Sequence, residues 1–232
     1  MIKTLGIIPA RGGSKGIIKK NIKEVSDNPL IYYTIEACKK SELLSRFLVS
    51  TDDSEIASVA EQNGTEVLAR PKELATDSAS SLGVVKHVYE SEKSKGNHYE
   101  AMLLLQPTNP LRTAEDIDAA IKILFAEGSD SVISVCEATD YHPQYMYVFE
   151  GDLLRNYLGN VINYRRQDLE PIYYRNGAIY AFRTELLKED KLIGIRPAPY
   201  VMPKSRSVNI DDEYDLFIAE CLLNSLLRND KV

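Results

Sequence analysis

Short apolar runs alternate with longer amphipathic segments over the first 137 residues, and this alternation restricts the possible folds more than any other feature of the chain. There are five such runs, at residues 4–10, 46–53, 65–70, 100–110 and 129–137. A short continuous apolar run is typical of a strand buried on both faces, as in a parallel sheet. Because helical segments separate the runs, the sequence predicts a doubly wound, mostly parallel, Rossmann-like α/β sheet.

The intervening segments carry the start signals of helices. Four helices are predicted, at residues 27–41, 52–64, 76–95 and 113–128. We expect Asp27 or Asn28 to cap the first of them, with Pro29 in its first turn. Thr113 and Asp116 have the spacing of a capping box at the start of the last.

The pattern changes after Ala138. The segment from about 138 to 175 is rich in Tyr, Asn and Arg and has weak helical signals, so we expect a small β-rich insertion or flap there. A strand at 176–182 and an amphipathic helix at 211–227 are predicted to follow. At 232 residues, the chain is expected to form a single domain, 1–232, that carries this flap.

The chain is acidic, with 28 Lys and Arg against 34 Asp and Glu and a net charge of −6. Because a nucleic-acid-binding protein needs a basic face, we expect no nucleic-acid partner. Three cysteines, Cys38, Cys136 and Cys221, lie far apart in apolar stretches and predict buried, reduced thiols in a cytoplasmic protein. No apolar stretch approaches the length of a membrane span, so no membrane partner is expected either.

A basic, glycine-rich loop follows the first predicted strand. Its glycines follow neither the G-x-x-x-x-G-K-[ST] nor the G-x-G-x-x-G spacing. Glycines nevertheless let backbone N–H groups approach an anion closely, and Arg11, Lys15 and Lys20 supply positive charge. We therefore favour a site for a small anion such as a phosphate group over a tight turn with solvated cations.

Acidic and polar side chains occupy later loops. Three consecutive acids at 211–213 are expected just after a strand, where they suit either Mg²⁺ or the N-terminus of the next helix, and both alternatives stay open. Gln106 can donate and accept, which suits a sugar hydroxyl or the capping of its own loop. Arg165 and Arg166 are candidates for holding a carboxylate or phosphate, or form a solvated surface pair.

Six blocks carry a more specific signal: IIPARGGSKGIIKKN, VSTDDSEIASVA, RPKELATDSASS, LLQPTNPLR, RNGAIYAF and NIDDEYDL. In this order they resemble the blocks of the CMP-sialic acid synthetases (acylneuraminate cytidylyltransferases), and the resemblance covers essentially the whole chain. It implies a sheet of nucleotidyltransferase type and a reaction of CTP with a nine-carbon α-keto acid sugar that releases pyrophosphate. It also implies Mg²⁺ as cofactor and a homodimer that exchanges the flap between subunits.

The resemblance further implies roles for individual residues. The implied nucleotide-binding set is Ala10, Arg11, Gly13, Ser14, Lys15, Lys20, Asn21, Arg70 and Ser81, of which the last two would contact the cytosine. The implied catalytic set is Arg11, Lys15, Lys20 and Asp211. On the sugar side, Gln106 would contact the sugar, and Arg166 would approach the sugar carboxylate in the neighbouring subunit's site.

Two departures from the family pattern leave questions open. Asn209 stands where the family usually has the first Asp of an Asp-x-Asp metal site, so Asn209 and Asp211 are the expected Mg²⁺ ligands, with Asp212 as a possible compensating charge. Gln144 and Tyr145 stand where some relatives carry a lysine, which indicates a different acyl-sugar. The particular nonulosonic acid, sialic, legionaminic or another, stays open. The alternatives are a transferase for the eight-carbon acid of lipopolysaccharide and a nucleotide-binding protein without catalysis.

Overall fold

A seven-stranded sheet forms the centre of the protein. The computed structural model describes residues 2–126, 128–139, 141–159 and 165–229, without the side chains of residues 166 and 227–229. The strands are β1 (Thr4–Pro9), β2 (Glu24–Val25), β3 (Asn28–Pro29), β4 (Arg46–Thr51), β5 (Val67–Ala69), β6 (Ala101–Leu104), β7 (Ser131–Glu137), β8 (Tyr147–Glu150), β9 (Leu153–Asn156), β10 (Tyr173–Arg183) and β11 (Pro197–Val201). Two pairs, β2–β3 and β8–β9, form separate two-stranded ribbons.

The central sheet is mostly parallel, as predicted. Its strand order is β11-β7-β10-β6-β1-β4-β5. β10 runs antiparallel to both of its neighbours, β6 and β7, whereas the other adjacent strands described are parallel. The beginning of β10 therefore lies at the edge of the sheet where the parallel strands end, which is the edge that binds ligands in open α/β sheets.

Helices cover both faces of the sheet, which makes the fold doubly wound. They are α1 (Leu30–Lys40), α2 (Ser54–Gln62), α3 (Ser81–Ser94), α4 (Ala114–Phe125) and α5 (Glu213–Asn229). α1, α2 and α4 share one core cluster, which contains Ile35, Ile56 and Ile117. α3 contributes Val85 and Val88 to a second cluster. Among the described residues, no helix is both long and apolar enough to cross a membrane.

A third core cluster connects the glycine-rich loop to the segment before α5. It contains Ile17 from the loop, Leu30 from α1, and Ile210 and Leu216 from the C-terminal part of the chain, each less than a tenth exposed. Burying an aliphatic side chain of this size contributes ~1.5–3 kcal/mol. One of these two loops carries residues predicted to bind phosphate, and the other carries residues predicted to bind a metal ion. Apolar packing behind the two loops thus holds them together.

Helix capping agrees with the sequence prediction at α4 and differs at α1. At α4, the Thr113 hydroxyl accepts from the Asp116 backbone and the Asp116 side chain accepts from the Thr113 backbone, which completes the capping box. The prediction that Asp27 or Asn28 caps α1 is wrong, because Pro29 occupies the N-cap position. Asp27 has a φ of +68° and lies in the turn of the β2–β3 ribbon, a conformation suited to a tight hairpin.

The C-terminal part of the chain requires two further corrections. No strand immediately precedes the acids at 211–213: β11 ends at Val201, and an irregular segment with a short 3₁₀ turn, Lys204–Arg206, leads to α5. β11 is an edge strand, and Pro203 has no N–H with which to continue it. Cys221 is exposed rather than buried, because it lies off the apolar stripe of α5, whereas Cys38 and Cys136 are buried as expected.

The segment predicted as a flap contains the β8–β9 ribbon and the start of β10. The ribbon exposes several large apolar side chains, among them Phe149 (84% exposed) and Leu153 (75% exposed). Residues 140 and 160–164 lie outside the described residues. A role of this segment in dimerisation stays a prediction.

Candidate active site

A cleft of about 520 Å³ opens at the carboxyl edge of the sheet. The loops after β1 and β6, the segment before α3 and the segment before α5 form its walls. Nine of the predicted site residues line it: Arg11, Ser14, Lys15, Lys20, Asn21, Ser81, Gln106, Asn209 and Asp211. The fold therefore brings polar groups from both ends of the chain into one volume, as Rossmann-like sheets do where loops follow parallel strands.

The glycine-rich loop is packed tightly between two acidic loops. The Gly12 backbone N–H donates to Asp52 Oδ1 at 3.1 Å. A Cβ atom at position 12 would lie 2.5 Å from Asp53 Oδ2, and one at position 16 would overlap the backbone carbonyl of Asp211. A Cβ at Gly13, in contrast, would meet no atom within 4 Å. Positions 12 and 16 thus require glycine for close approach, and Gly13 faces open space.

An acidic side chain that sequence analysis did not single out neutralises the basic loop. Asp77 forms ion pairs of 2.8 Å with Arg11 Nη2 and 2.8 Å with Lys15 Nζ. Hydrogen bonds from Lys15, and then from Arg11, hold the pKa of Asp77 below its ordinary value. Its carboxylate therefore occupies, between two cations, a position suited to an anion of a ligand.

Lys20 and Asp211 connect the two sides of the cleft. Lys20 Nζ donates to the backbone carbonyl of Ile210 at 2.7 Å and lies 3.5 Å from Asp211 Oδ1. Asn209 Nδ2 donates to Asp211 Oδ2 at 2.7 Å. The Asp211 carboxylate is thus held from both sides while its side chain remains 73% exposed, so it is accessible to a ligand in the cleft.

Asp212 belongs to the helix and not to the cleft. Its Oδ1 accepts from the backbone N–H groups of Tyr214 at 2.9 Å and Asp215 at 3.0 Å, which caps α5. The acids at 211–213 were expected to suit either Mg²⁺ or the N-terminus of the next helix. Asp212 caps that helix, and Asp211 faces the cleft. The compensating charge suggested for Asp212 at the metal site stays a prediction.

Three predicted nucleotide-binding residues do not line the cleft: Ala10, Gly13 and Arg70. Ala10 is buried, and its backbone N–H donates to Ser50 O at 3.0 Å. Arg70 is also buried: its Nε donates to Ser50 Oγ at 3.2 Å and its Nη2 to Ser50 O at 2.6 Å. Burial lowers the pKa of Arg70 to about 10, with a further lowering contribution from Arg11.

The flap arginines are only partly described. Arg165 forms an ion pair with Asp168, with Nε 2.9 Å from Oδ2, so it has a local partner. The side chain of Arg166, predicted to approach a sugar carboxylate, lies outside the described residues. The structure therefore leaves its role as a prediction.

A second pocket of about 210 Å³ adjoins the cleft and shares Ser81 and Gln106 with it. Its remaining lining consists of Leu104, Arg175, Tyr180, Leu192 and Ile193. Sequence analysis singled out none of these five. Only the position of Arg175 directly before the NGAIYAF strand could have drawn attention to it, since that strand begins at the ligand-binding edge.

The cleft contains few potential metal ligands. Among the described residues, no group of three or more His, Cys, Asp or Glu side chains is arranged to hold a metal ion. Asp211 and Asn209 are oxygen-bearing side chains that line the cleft itself. Such a set suits a hard cation that takes most of its ligands from water and from a phosphorylated substrate, as Mg²⁺ does.

Comparison with known proteins places this architecture in a family. The cytidylyltransferase family model matches residues 5–217. A solved CMP:2-keto-3-deoxy-manno-octonic acid synthetase complexed with CTP aligns with a TM-score of 0.74 over 96% of this chain and 99% of that one. At 15% identity, this similarity supports the fold alone.

Curated relatives indicate the group within this family to which the chain is similar. An N-acylneuraminate cytidylyltransferase of Escherichia coli O18:K1:H7 is 36% identical over 94% of this chain, which spans about half (51%) of that protein. The CMP-N,N′-diacetyllegionaminic acid synthase of Legionella pneumophila is 32% identical over 96% of this chain and 97% of its own. The pseudaminic acid cytidylyltransferase of Campylobacter jejuni is 31% identical over 95% and 96%, respectively. The chain therefore belongs to the cytidylyltransferase family, within its CMP-sialic acid synthetase group.

Proposed function

We propose that the protein transfers CMP from CTP to a nine-carbon α-keto acid sugar and releases pyrophosphate. The anomeric hydroxyl of the sugar attacks the α-phosphorus in line, so that a new O–P bond forms while the bond to pyrophosphate breaks. The observation that carries this proposal is the shared cleft, in which the cations of the glycine loop, Asp211 and Gln106 face one volume. Relatives named for sialic, legionaminic and pseudaminic acids support the substrate class.

The basic side of the cleft is proposed to hold the nucleotide. Arg11, Lys15 and Lys20 would neutralise the triphosphate, and Ser14 and Asn21 would contact the triphosphate and ribose. In phosphoryl-type transfer the protein need not form a covalent bond with the substrate, because positioning and charge neutralisation account for most of the rate enhancement. Lys20 suits this role, since its bond to Ile210 O and its largely buried stem fix the position of the ammonium group.

The cytosine base of CTP is proposed to lie next to Ser81, with Arg70 farther from the cleft on the same side. Ser81 lines the cleft at the start of α3. Arg70 would act from the end of β5, where Ser50 holds its guanidinium. Ala10 and Gly13 would contribute through their backbone, Gly13 because a ligand can approach its open face closely.

Mg²⁺ is the proposed cofactor, with Asp211 and Asn209 as its protein ligands. One carboxylate and one amide oxygen fit an ion that keeps waters and substrate phosphate oxygens. The Asn209 amide now donates to Asp211, so it must turn to direct its oxygen at the ion. When bound, Mg²⁺ would neutralise part of the phosphate charge during transfer.

We further propose a cytoplasmic homodimer in which the flap of one subunit reaches the site of the other. The exposed apolar side chains of the β8–β9 ribbon support this, because large apolar groups in one patch favour a protein interface. Arg166 of the flap would then approach the sugar carboxylate of the neighbouring site. Three free cysteines agree with a reducing compartment, and the net charge of −6 with the absence of a nucleic-acid partner.

Pyrophosphate release tests the proposed reaction. The purified protein is incubated with CTP, Mg²⁺ and, separately, N-acetylneuraminic, N,N′-diacetyllegionaminic, pseudaminic and the eight-carbon keto-deoxyoctonic acid. We expect turnover with at least one nine-carbon acid and at least 100-fold less with the eight-carbon acid. Turnover of the eight-carbon acid alone would assign the protein to that substrate, and CTP binding without turnover of any acid would indicate a non-catalytic protein.

A further inference from the structure

A buried carboxylate at the start of α4 connects separate parts of the chain. Asp116 is 1% exposed, and its Oδ2 accepts from the Thr113 backbone N–H at 2.8 Å in the capping box. Oδ2 also forms an ion pair with Arg206 Nη1, and Oδ1 accepts from the Tyr200 hydroxyl at 2.6 Å. Because a buried carboxylate is stable only when its oxygens are paired, these contacts hold Tyr200 and Arg206 in fixed positions.

The two partners of Asp116 lie on the path of the chain from β11 to α5. Tyr200 belongs to β11, and Arg206 ends the 3₁₀ turn Lys204–Arg206. Burial, and then the hydrogen bond to Asp116, raises the pKa of Tyr200 to about 12, so its hydroxyl keeps its proton and donates. Asp116 therefore fixes both the last strand of the sheet and the start of the irregular segment that follows it.

That irregular segment carries Asp211 to the cleft. The loop after β6 holds the segment at two further points: Asn109 Nδ2 donates to Val208 O at 2.9 Å, and the Ile210 N–H donates to Thr108 O at 2.9 Å. Asp211 follows directly and faces the cleft. Since the segment has no strand or helix of its own between the 3₁₀ turn and α5, its position depends on such contacts with neighbouring elements.

We propose that Asp116 is a positioning residue for Asp211. By holding Tyr200 and Arg206, it keeps the segment between β11 and α5 where the Asp211 carboxylate meets the proposed metal ion. This inference rests on the proposed function, because Asp211 is a proposed ligand of Mg²⁺. Asp116 itself does not line the cleft, so it acts only through its partners. Groups that orient a metal ligand from outside the site typically change metal affinity by ~10–100-fold, and a less direct contact should change it less.

A second triad of the same chemistry provides a matched control. Glu92 of α3 is buried, forms an ion pair with Arg46 Nη1 and accepts from the Tyr99 hydroxyl at 3.3 Å. Arg46 begins β4, and Tyr99 precedes β6, so this triad lies at the edge where the parallel strands begin. The cleft lies at the other edge of the sheet. Disrupting the Glu92 triad therefore removes a buried network of the same kind without reaching Asp211.

Binding of Mn²⁺, used in place of Mg²⁺, tests the proposal without requiring turnover. The full chain, in excess over α,β-methylene-CTP so that the nucleotide is bound, is titrated with Mn²⁺, and the free ion is measured by electron paramagnetic resonance. The variants are D116N and Y200F, with E92Q and Y99F as controls, and D116N is also combined with D211N. Urea melts report the folding of every variant. Y200F removes one hydroxyl and keeps the ring, so it decides the matter if D116N does not fold.

The expected effect is specific to the metal ion and depends on Asp211. D116N should raise the Kd of Mn²⁺ at least fivefold and Y200F at least twofold, whereas E92Q and Y99F should stay within about 1.5-fold of the wild type even where they lower the unfolding free energy. In the D211N protein, D116N should add no further loss.

Three results would overturn the proposal. They are a wild-type Kd of Mn²⁺ in Y200F and in folded D116N, an equal rise in the control variants, and a loss from D116N that persists in the D211N protein. The last two would mean that Asp116 supports the fold in general rather than the position of Asp211. Failure of the proposed function is seen separately, as absence of pyrophosphate release by the wild type.

Discussion

Asp77 places a carboxylate between two cations that are proposed to bind phosphate, so the ligand and this side chain compete for one position. Both ion pairs measure 2.8 Å, and Asp77, Arg11 and Lys15 are all partly exposed. Exposed ion pairs are weak, so a triphosphate carrying several charges displaces Asp77 without difficulty. The carboxylate nevertheless opposes binding, because its negative charge lies close to the incoming anion.

We therefore expect Asp77→Asn to bind CTP more tightly. Since exposed pairs contribute little, the gain should be about two- to fivefold in Kd, measured calorimetrically at low ionic strength and smaller at high salt. Asp190→Asn is the control, because Asp190 also pairs with an exposed lysine, Lys86, but lies outside the cleft. Weaker CTP binding in D77N would show that Asp77 supports the nucleotide site rather than competing with its ligand.

At the scale of elements, the glycine-rich loop and the segment before α5 are in direct backbone contact. A Cβ at position 16 would overlap the Asp211 carbonyl, whereas one at Gly13 would meet nothing within 4 Å. We expect Gly16→Ala to lower the free energy of unfolding by ~1–3 kcal/mol, the usual cost of overpacking, because neither backbone can move without disturbing the apolar cluster behind it. Gly13→Ala is the matched control and should leave the unfolding free energy within about 0.5 kcal/mol. Denaturant melts that give both variants the same stability would contradict this contact.

Helix α3 carries a titratable group, His87, close to Arg70 and Glu73. Burial lowers the pKa of His87, the nearby Arg70 acts in the same direction, and His87 Nδ1 has no hydrogen-bond partner in the described part of the chain. The folded protein therefore favours neutral His87. Its contribution to stability is fully present above the unfolded pKa of ~6.5 and is lost as pH falls below that value toward the lower folded pKa.

This sign predicts the behaviour of His87→Gln. Between pH 7.5 and pH 5.5 the melting temperature of the wild type should fall further than that of H87Q, which cannot gain a proton. Thermal melts at matched ionic strength measure the difference. An equal or larger fall in H87Q would mean that His87 does not oppose protonation in the folded state.

Local signals in the sequence predicted most of the helices and strands. Contacts between residues distant in the sequence determined the features that were not predicted. The capping box of Thr113 and Asp116 and the apolar run of β6 depend on neighbours in the chain, so they were predicted correctly. The α1 cap was not, because Ser26 and Asp27 are needed in the turn of the β2–β3 ribbon. The direction of β10 depends on pairing with strands that are remote in sequence, so no local pattern indicated it.

The same distinction applies to the site. The basic loop, Gln106 and Asp211 were predicted because their residue types are informative, and the fold places them in one cleft. Asp77 and Arg175 were not predicted as site residues, because the residue type of a single acid or arginine does not indicate a role until its surroundings are known. The positions of both follow from long-range contacts: Asp77 from Arg11 and Lys15, and Arg175 from the β-bulge in β10 that Ser134 and Ser207 hold.

At the scale of the whole molecule, the apolar surface of the β8–β9 ribbon is the basis for expecting a dimer. Phe149 and Leu153 are mostly exposed, which costs free energy in water unless a second surface covers them. We expect the double variant Phe149→Ser, Leu153→Ser to shift the protein from dimer to monomer, measured by light scattering after size exclusion. Ile195→Ser removes a side chain of equal exposure (85%) outside the ribbon and should leave the dimer intact. A wild-type monomer, or a double variant that remains dimeric, would exclude this interface.

The cleft is proposed to direct attack on the α-phosphorus of CTP by the hydroxyl of an acid sugar. A ³¹P NMR spectrum of the wild-type reaction with CTP, Mg²⁺ and the accepted nine-carbon acid tests it most directly, because every phosphorus of the products is seen. Equal amounts of pyrophosphate and of one phosphodiester, the CMP-sugar, are expected. Signals of CDP together with a sugar phosphate or inorganic phosphate would contradict it, since they would mean attack at the γ-phosphorus by the sugar or by water, respectively.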